Sequence, residues 1–84
     1  MKPIRLTRHA REQARERGAT ETEVKEAVAK AAREPAKLGR LLCRYNFGYG
    51  RRWQGKVYAI KQVAPVIKEE TGQTFVITVY TFFF

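Results

Sequence analysis

Eighty-four residues, 44% of them hydrophobic and 12% aromatic, suffice for one domain with a modest core and exclude a disordered chain. Seventeen Lys and Arg against eight acids give a net charge of +9, and a chain with one His, one Cys and no Asp argues against a metal site. The lone Cys43 excludes an internal disulfide, and the longest apolar run, FVITVYTFFF, is about half of a membrane helix, so the expectation is a cytoplasmic protein with no membrane partner.

In chain order, Ile4–Leu6 reads as a short strand or a lead-in. Thr7 caps a helix through RHAREQARERG that ends at Gly18, where a left-handed residue costs little. Its apolar stripe is thin (Leu6, Ala10, Ala14) and is flanked by His9, Gln13 and Arg17. Thr20 with Glu23 three residues on makes a capping box, and Val24, Ala27, Val28 and Ala31 repeat with helical period. Pro35 stops this second helix, and Leu38-Gly39 turns the chain.

After Gly39 the period changes from 3.6 to 2. In RLLCRYNF, Leu41, Cys43, Tyr45 and Phe47 point one way, and Arg40, Leu42, Arg44 and Asn46 the other. GYG is a turn, and RRW with Gln54-Gly55 leads into the strand KVYAIKQV, both of whose faces carry apolar residues. A turn at Thr71-Gly72-Gln73 precedes the last strand, whose alternation sets Phe75, Ile77 and Val79 against Val76, Thr78 and Tyr80. The fold expected is α+β: two N-terminal helices on one face of a three- to four-stranded antiparallel sheet. The other face is open and lined by Arg44, Asn46, Thr78 and Tyr80.

The charge is unevenly spread. No acid lies between Glu34 and Glu69, while Lys37, Arg40, Arg44, Arg51, Arg52, Lys56, Lys61 and Lys68 all do. Such a field favours a phosphate backbone and speeds its encounter. Within it, CRYNFGYGRRWQGK mixes four aromatic rings with four basic side chains and three glycines. A ring beside guanidinium groups stacks on an unpaired base. Arg51, Arg52, Trp53, Tyr49 and Lys61 are therefore the nucleic-acid-binding candidates, with a solvated hairpin, and for Trp53 a lid over the core, as the alternatives.

The pattern Thr7-Arg8-His9-Ala10, six residues, then Arg17-Gly18 and a capped helix resembles a group of small domains with an S/T-x-H-A start. Their last strand carries an I-T-V-Y-like segment, matched here by Ile77-Thr78-Val79-Tyr80. The resemblance covers nearly the whole chain and places it near the RelE/ParE/BrnT toxins. It implies a RelE-like sheet-and-two-helix fold and, in many relatives, cleavage of mRNA or tRNA countered by an antitoxin protein; other members poison gyrase without cutting RNA. These domains commonly carry Arg four residues after the His, where this chain has Gln13.

Cutting RNA without a metal or cofactor needs a base near the 2′-hydroxyl, cations around the phosphate and an acid for the leaving oxygen. Histidine is the side-chain type suited to proton transfer near neutrality, which makes His9 the candidate base or acid, the alternative being a cap or packing role. Tyr80 on the open face is a proton donor or a stacking ring, or else a core residue. Arg44 and Lys56, with Arg51 and Arg52, are candidates for phosphate contact and charge stabilisation, as basic residues are in RelE-like toxins. The C-terminal Phe82–Phe84 either finishes the core strand or forms an apolar edge for an antitoxin or a second copy. Three functions follow: a metal-independent endoribonuclease of RelE-like toxin type, a basic nucleic-acid binder that does not cut, and a module that inhibits an acidic protein partner.

Overall fold

A computed structural model describes residues 2–84 as an α+β fold with two helices and a mixed six-stranded sheet. In chain order these are β1 (Ile4–Leu6), α1 (Arg8–Glu16), α2 (Glu21–Lys30), β2 (Arg33–Pro35), a 3₁₀ turn (Lys37–Gly39), β3 (Leu41–Cys43), β4 (Tyr45–Trp53), β5 (Lys56–Glu69) and β6 (Thr74–Phe83). The strands lie in the order β1-β6-β5-β3-β2, with β4 continuing β3 along the same side of β5. The sheet thus has more strands than the sequence suggests, and β1 runs parallel to β6, so it is mixed. Among the described residues no helix is long and apolar enough to cross a membrane.

Both helix starts follow the local chemistry. The Thr7 hydroxyl accepts from the Ala10 amide at 3.1 Å, and Thr20 with Glu23 forms the reciprocal capping box. The second helix ends earlier than Pro35 suggests, at Lys30. Pro35 instead closes the edge strand β2, where its missing N–H faces no partner strand.

The helices cover one face of the sheet. The core between them joins Ala10, Ala14, Val24, Ala27 and Val28 to Cys43, Val63, Ile67, Val76 and Val79, with Leu41, Tyr45 and Phe47 packed against it. This is the alternation expected for RLLCRYNF. In β6 the alternation fails: Val66 pairs with Thr78 but Ile67 pairs with Val76, so Ile77 is the extra residue of a bulge. Val76 and Val79 then both face the helices, so the period-2 assignment is corrected before the bulge, where Val76 and not Phe75 is buried, while Val79 inward and Thr78 and Tyr80 on the open face stand as expected. The pairing of β3 and β4 with β5 is interrupted at Cys43 and Arg44, beside Pro65, which has no N–H to give it.

GYG is not a turn either. It continues β4 through a register shift between Gly48 and Arg51, and the hairpin turns at Gln54 and Gly55, whose φ values of 48° and 85° suit a two-residue connection. At its tip Trp53 folds back, stacking on Phe83 at 5.0 Å and covering Gly18 (φ 79°), where an added Cβ would meet the indole at 2.8 Å. Gly18→Ala is accordingly expected to cost about 2 kcal/mol, combining left-handed strain with displacement of the indole. Chemical denaturation followed by Trp53 fluorescence measures both, and a variant as stable as the parent with unchanged emission refutes the packing described.

A candidate nucleic-acid groove on the helix-free face

On the uncovered face, Leu42, Arg44, Val66, Thr78, Tyr80 and Phe82 line a groove of about 560 Å³. Pro35 to Arg40 form its outer wall, on which Leu38, held at φ 61°, stands 87% exposed. The floor is apolar and the rim is cationic. Arg44 Nε lies 3.3 Å from Glu34 Oε1, both side chains being nearly half exposed. A pair of that kind is worth at most about 1 kcal/mol, so Arg44 can exchange its carboxylate for a phosphate. Among the described residues Lys37 and Arg40 form no salt bridge.

His9 reaches this groove from the opposite side of the sheet. β1 pairs with β6 only from Thr74 to Val76; beyond it, α1 lies along the free edge of β6. There the Arg17 guanidinium donates to the Val79 carbonyl at 2.8 Å, and the Thr81 hydroxyl donates to the Arg17 carbonyl at 2.8 Å. The His9 Nε2 is consequently 3.5 Å from the Thr78 hydroxyl, which lines the groove two residues from Tyr80. The Arg17 Cζ sits 5.2 Å from the centre of the Tyr80 ring. His9, Thr78, Tyr80 and Arg17 therefore form one seam at the groove rim. Gln13 lies between His9 and Arg17 on the same helical face, and its Oε1 is buried without a hydrogen-bond partner. Arg17 escaped the site reading, although its helical spacing from His9 (two steps of four) was the available signal.

The remaining candidates are elsewhere. Lys56 pairs with Trp53 at the hairpin tip, its Nζ 5.7 Å from the Tyr58 ring. At about 3.3 Å per residue along β5 it is on the order of 25 Å from the groove end that holds Arg44. Arg51 rests on the Tyr49 ring at 4.9 Å, and Arg52 donates to the Gly55 carbonyl at 3.0 Å. Arg51, Arg52 and Lys56 are exposed and form no salt bridge among the described residues, so the tip is a second cationic patch. Tyr49 and Trp53 do not reach out with them: both pack on Phe83.

Lys61 is turned inward and is only 3% exposed. Its ammonium is bound by Glu23 at 2.7 Å and by the Gly18 carbonyl at 2.9 Å, under the Tyr49 ring. Burial works to raise the Glu23 pKa, but hydrogen bonds from Lys61 and Thr20 with the Lys61 charge outweigh it, and the carboxylate is held below its ordinary value. Cys43 is buried in the core, and burial pushes its thiol pKa up, which leaves it a packing residue. Among the described residues no group of three His, Cys, Asp or Glu side chains is placed to hold a metal ion.

No family model, no curated protein and no solved structure matches this chain.

Proposed function

We propose that this protein binds single-stranded RNA in the groove and cleaves it as a metal-independent endoribonuclease of RelE-like toxin type. The observation that carries the reading is the 3.5 Å contact between His9 and Thr78, which brings the one imidazole of the chain to the β6 rim of the groove, beside Tyr80 and across the groove from Arg44. In this mechanism the His9 imidazole takes the 2′-hydroxyl proton while that oxygen bonds to the adjacent phosphorus. The bond from phosphorus to the 5′-oxygen breaks, and the Tyr80 hydroxyl protonates the departing oxygen. The products are a 2′,3′-cyclic phosphate and a 5′-hydroxyl end. Arg44 and Arg17 offset the charge of the pentacoordinate phosphorus.

Two helices packed on one face of a sheet are what the resemblance to the RelE/ParE/BrnT toxins implies for the fold, and this supports the reading. A cognate antitoxin would occupy the same groove, laying apolar side chains against Leu38 and Phe82 and acidic ones against the rim. One observation favours the runner-up, a basic nucleic-acid-binding module that does not cut: Gln13 places no cation between His9 and Arg17.

Mapping 5′-hydroxyl RNA ends after brief induction in bacterial cells separates the two. New ends in cells making the parent protein that vanish with His9→Ala support the nuclease. Absence of new ends in both, with normal growth, leaves the binding module.

A further inference from the structure

The C-terminal TFFF, which the sequence leaves as either core or edge, divides between the two faces of the sheet. Phe83 turns to the helix side and packs against Tyr49, Trp53 and Tyr58. Phe82 and Phe84 turn to the open face, in line with Tyr80. These three rings are 45%, 45% and 57% exposed and account for three of the five large hydrophobic side chains so exposed among the described residues. A folding core does not need them there.

Their arrangement is regular. Tyr80 pairs with Ala64 and Phe82 with Gln62, while Phe84 exchanges both backbone hydrogen bonds with Ile60 at 2.8 and 3.1 Å. Alternate residues of one strand stand about 6.7 Å apart. That is roughly twice the 3.4 Å rise of a stacked nucleic-acid strand, so each ring meets a successive base only of a strand whose own stacking has been opened.

The ground beside Phe82 and Phe84 is low: Gln62 is tied to Asn46 at 2.8 Å, and Gly48, opposite Ile60, has nothing within 4 Å of where a Cβ would be, while Ala64 beside Tyr80 is buried. Two strands over, roughly 10 Å away, the β3–β4 ribbon carries Arg44 near one end of this ladder and Arg52 beyond the other. Aromatic faces in one row and guanidinium groups in a parallel row match bases and phosphates; an acidic peptide would use the cations but has no need of evenly spaced rings.

We infer that Tyr80, Phe82 and Phe84 form a three-base stacking ladder that holds an extended single strand of RNA along β6 and feeds it to the His9 rim. The inference rests on the RNA reading above and names its substrate as unpaired and unstacked.

The test is fluorescence anisotropy with a labelled eight-nucleotide oligouridylate, all proteins carrying His9→Ala so that no cutting intervenes. Phe82→Ala and Phe84→Ala are each expected to weaken binding roughly 5- to 100-fold without changing the slope of affinity against salt, whereas Arg52→Ala lowers that slope. Phe82→Leu, which keeps apolar bulk without a ring face, should lose nearly as much as Phe82→Ala. An abasic strand of the same length should bind the otherwise unaltered protein as weakly as the ring variants bind the oligouridylate, a comparison that needs no ring variant to fold. Binding that is indifferent to Phe82→Leu or to loss of the bases overturns the ladder and leaves the RNA reading standing. No binding of the oligouridylate at all removes both.

Discussion

Replacing His9 by alanine is expected to slow RNA cleavage by a factor of roughly 10²–10⁴, the usual worth of a positioned general base or acid. The same change should leave RNA affinity within a few-fold and the unfolding midpoint in place. The structure gives the reason for this split. His9 is exposed on the first turn of α1, and that turn is capped by Thr7 rather than by His9. Its ring belongs to no part of the buried core, and among the described residues its hydrogen-bond partner is the Thr78 hydroxyl. Single-turnover cleavage of a labelled single-stranded RNA in excess chelator, beside a binding isotherm and a thermal melt, reads all three quantities. Tyr80→Phe, which keeps the ring and removes the hydroxyl, should slow cleavage while sparing affinity if the hydroxyl is the acid. A rate unchanged by His9→Ala rejects His9 as a catalytic residue, and an unstable variant would show that its place in α1 is structural.

Replacing Lys61 by methionine is expected to have the largest effect on stability, about 3 kcal/mol, or on the order of 15 °C in Tm for a domain of this size. Methionine fills much of the same volume, so the loss is not a cavity. It comes from a Glu23 carboxylate and a Gly18 carbonyl that lose their shared partner inside the fold. The pH dependence should weaken with it. In the parent, Glu23 titrates below its ordinary value of 4.5, so its contribution is fully present above that value and is lost as pH falls through the depressed folded value. Without Lys61, burial is opposed by the Thr20 hydrogen bonds alone, so the carboxyl rises from its value in the parent and acidification costs the variant less than it costs the parent. Urea melts of both proteins at pH 7 and pH 4 test this, with Lys61→Met/Glu23→Gln expected to recover part of the loss. Equal stabilities at pH 7 would mean that the buried pair contributes nothing net.

Lys61 also marks where the sequence stops being legible. As one of eight cations in a segment without acids, it reads as part of a phosphate-binding surface. Its partner lies 38 positions away on α2, and only the packing of α2 over β5 shows the pair. Trp53 tells the same story, since the glycine it covers is 35 positions earlier, at the end of α1. The seam of His9, Thr78, Tyr80 and Arg17 was half visible. Each residue type was noticeable, but the contact between His9 and Thr78 spans 69 positions.

What the sequence by itself determined is what neighbours within about four residues decide. Both capped helices, the alternation of Leu41, Cys43, Tyr45 and Phe47, the hairpin in β4–β5 and the uneven charge all follow from local hydrogen bonds, side-chain direction and composition. The tertiary structure alone decided the parallel pairing of β1 with β6, the edge strand β2, the bulge at Ile77 and the inward turn of Lys61 and Trp53. Those depend on which surface each strand finds to bury, and a one-residue slip in a strand exchanges its two faces. The bulge makes that exchange in β6: it puts Val79 in the core and leaves Thr78, Tyr80 and Phe82 facing the groove, because burying Val76 and Val79 together requires one residue to be left out of register.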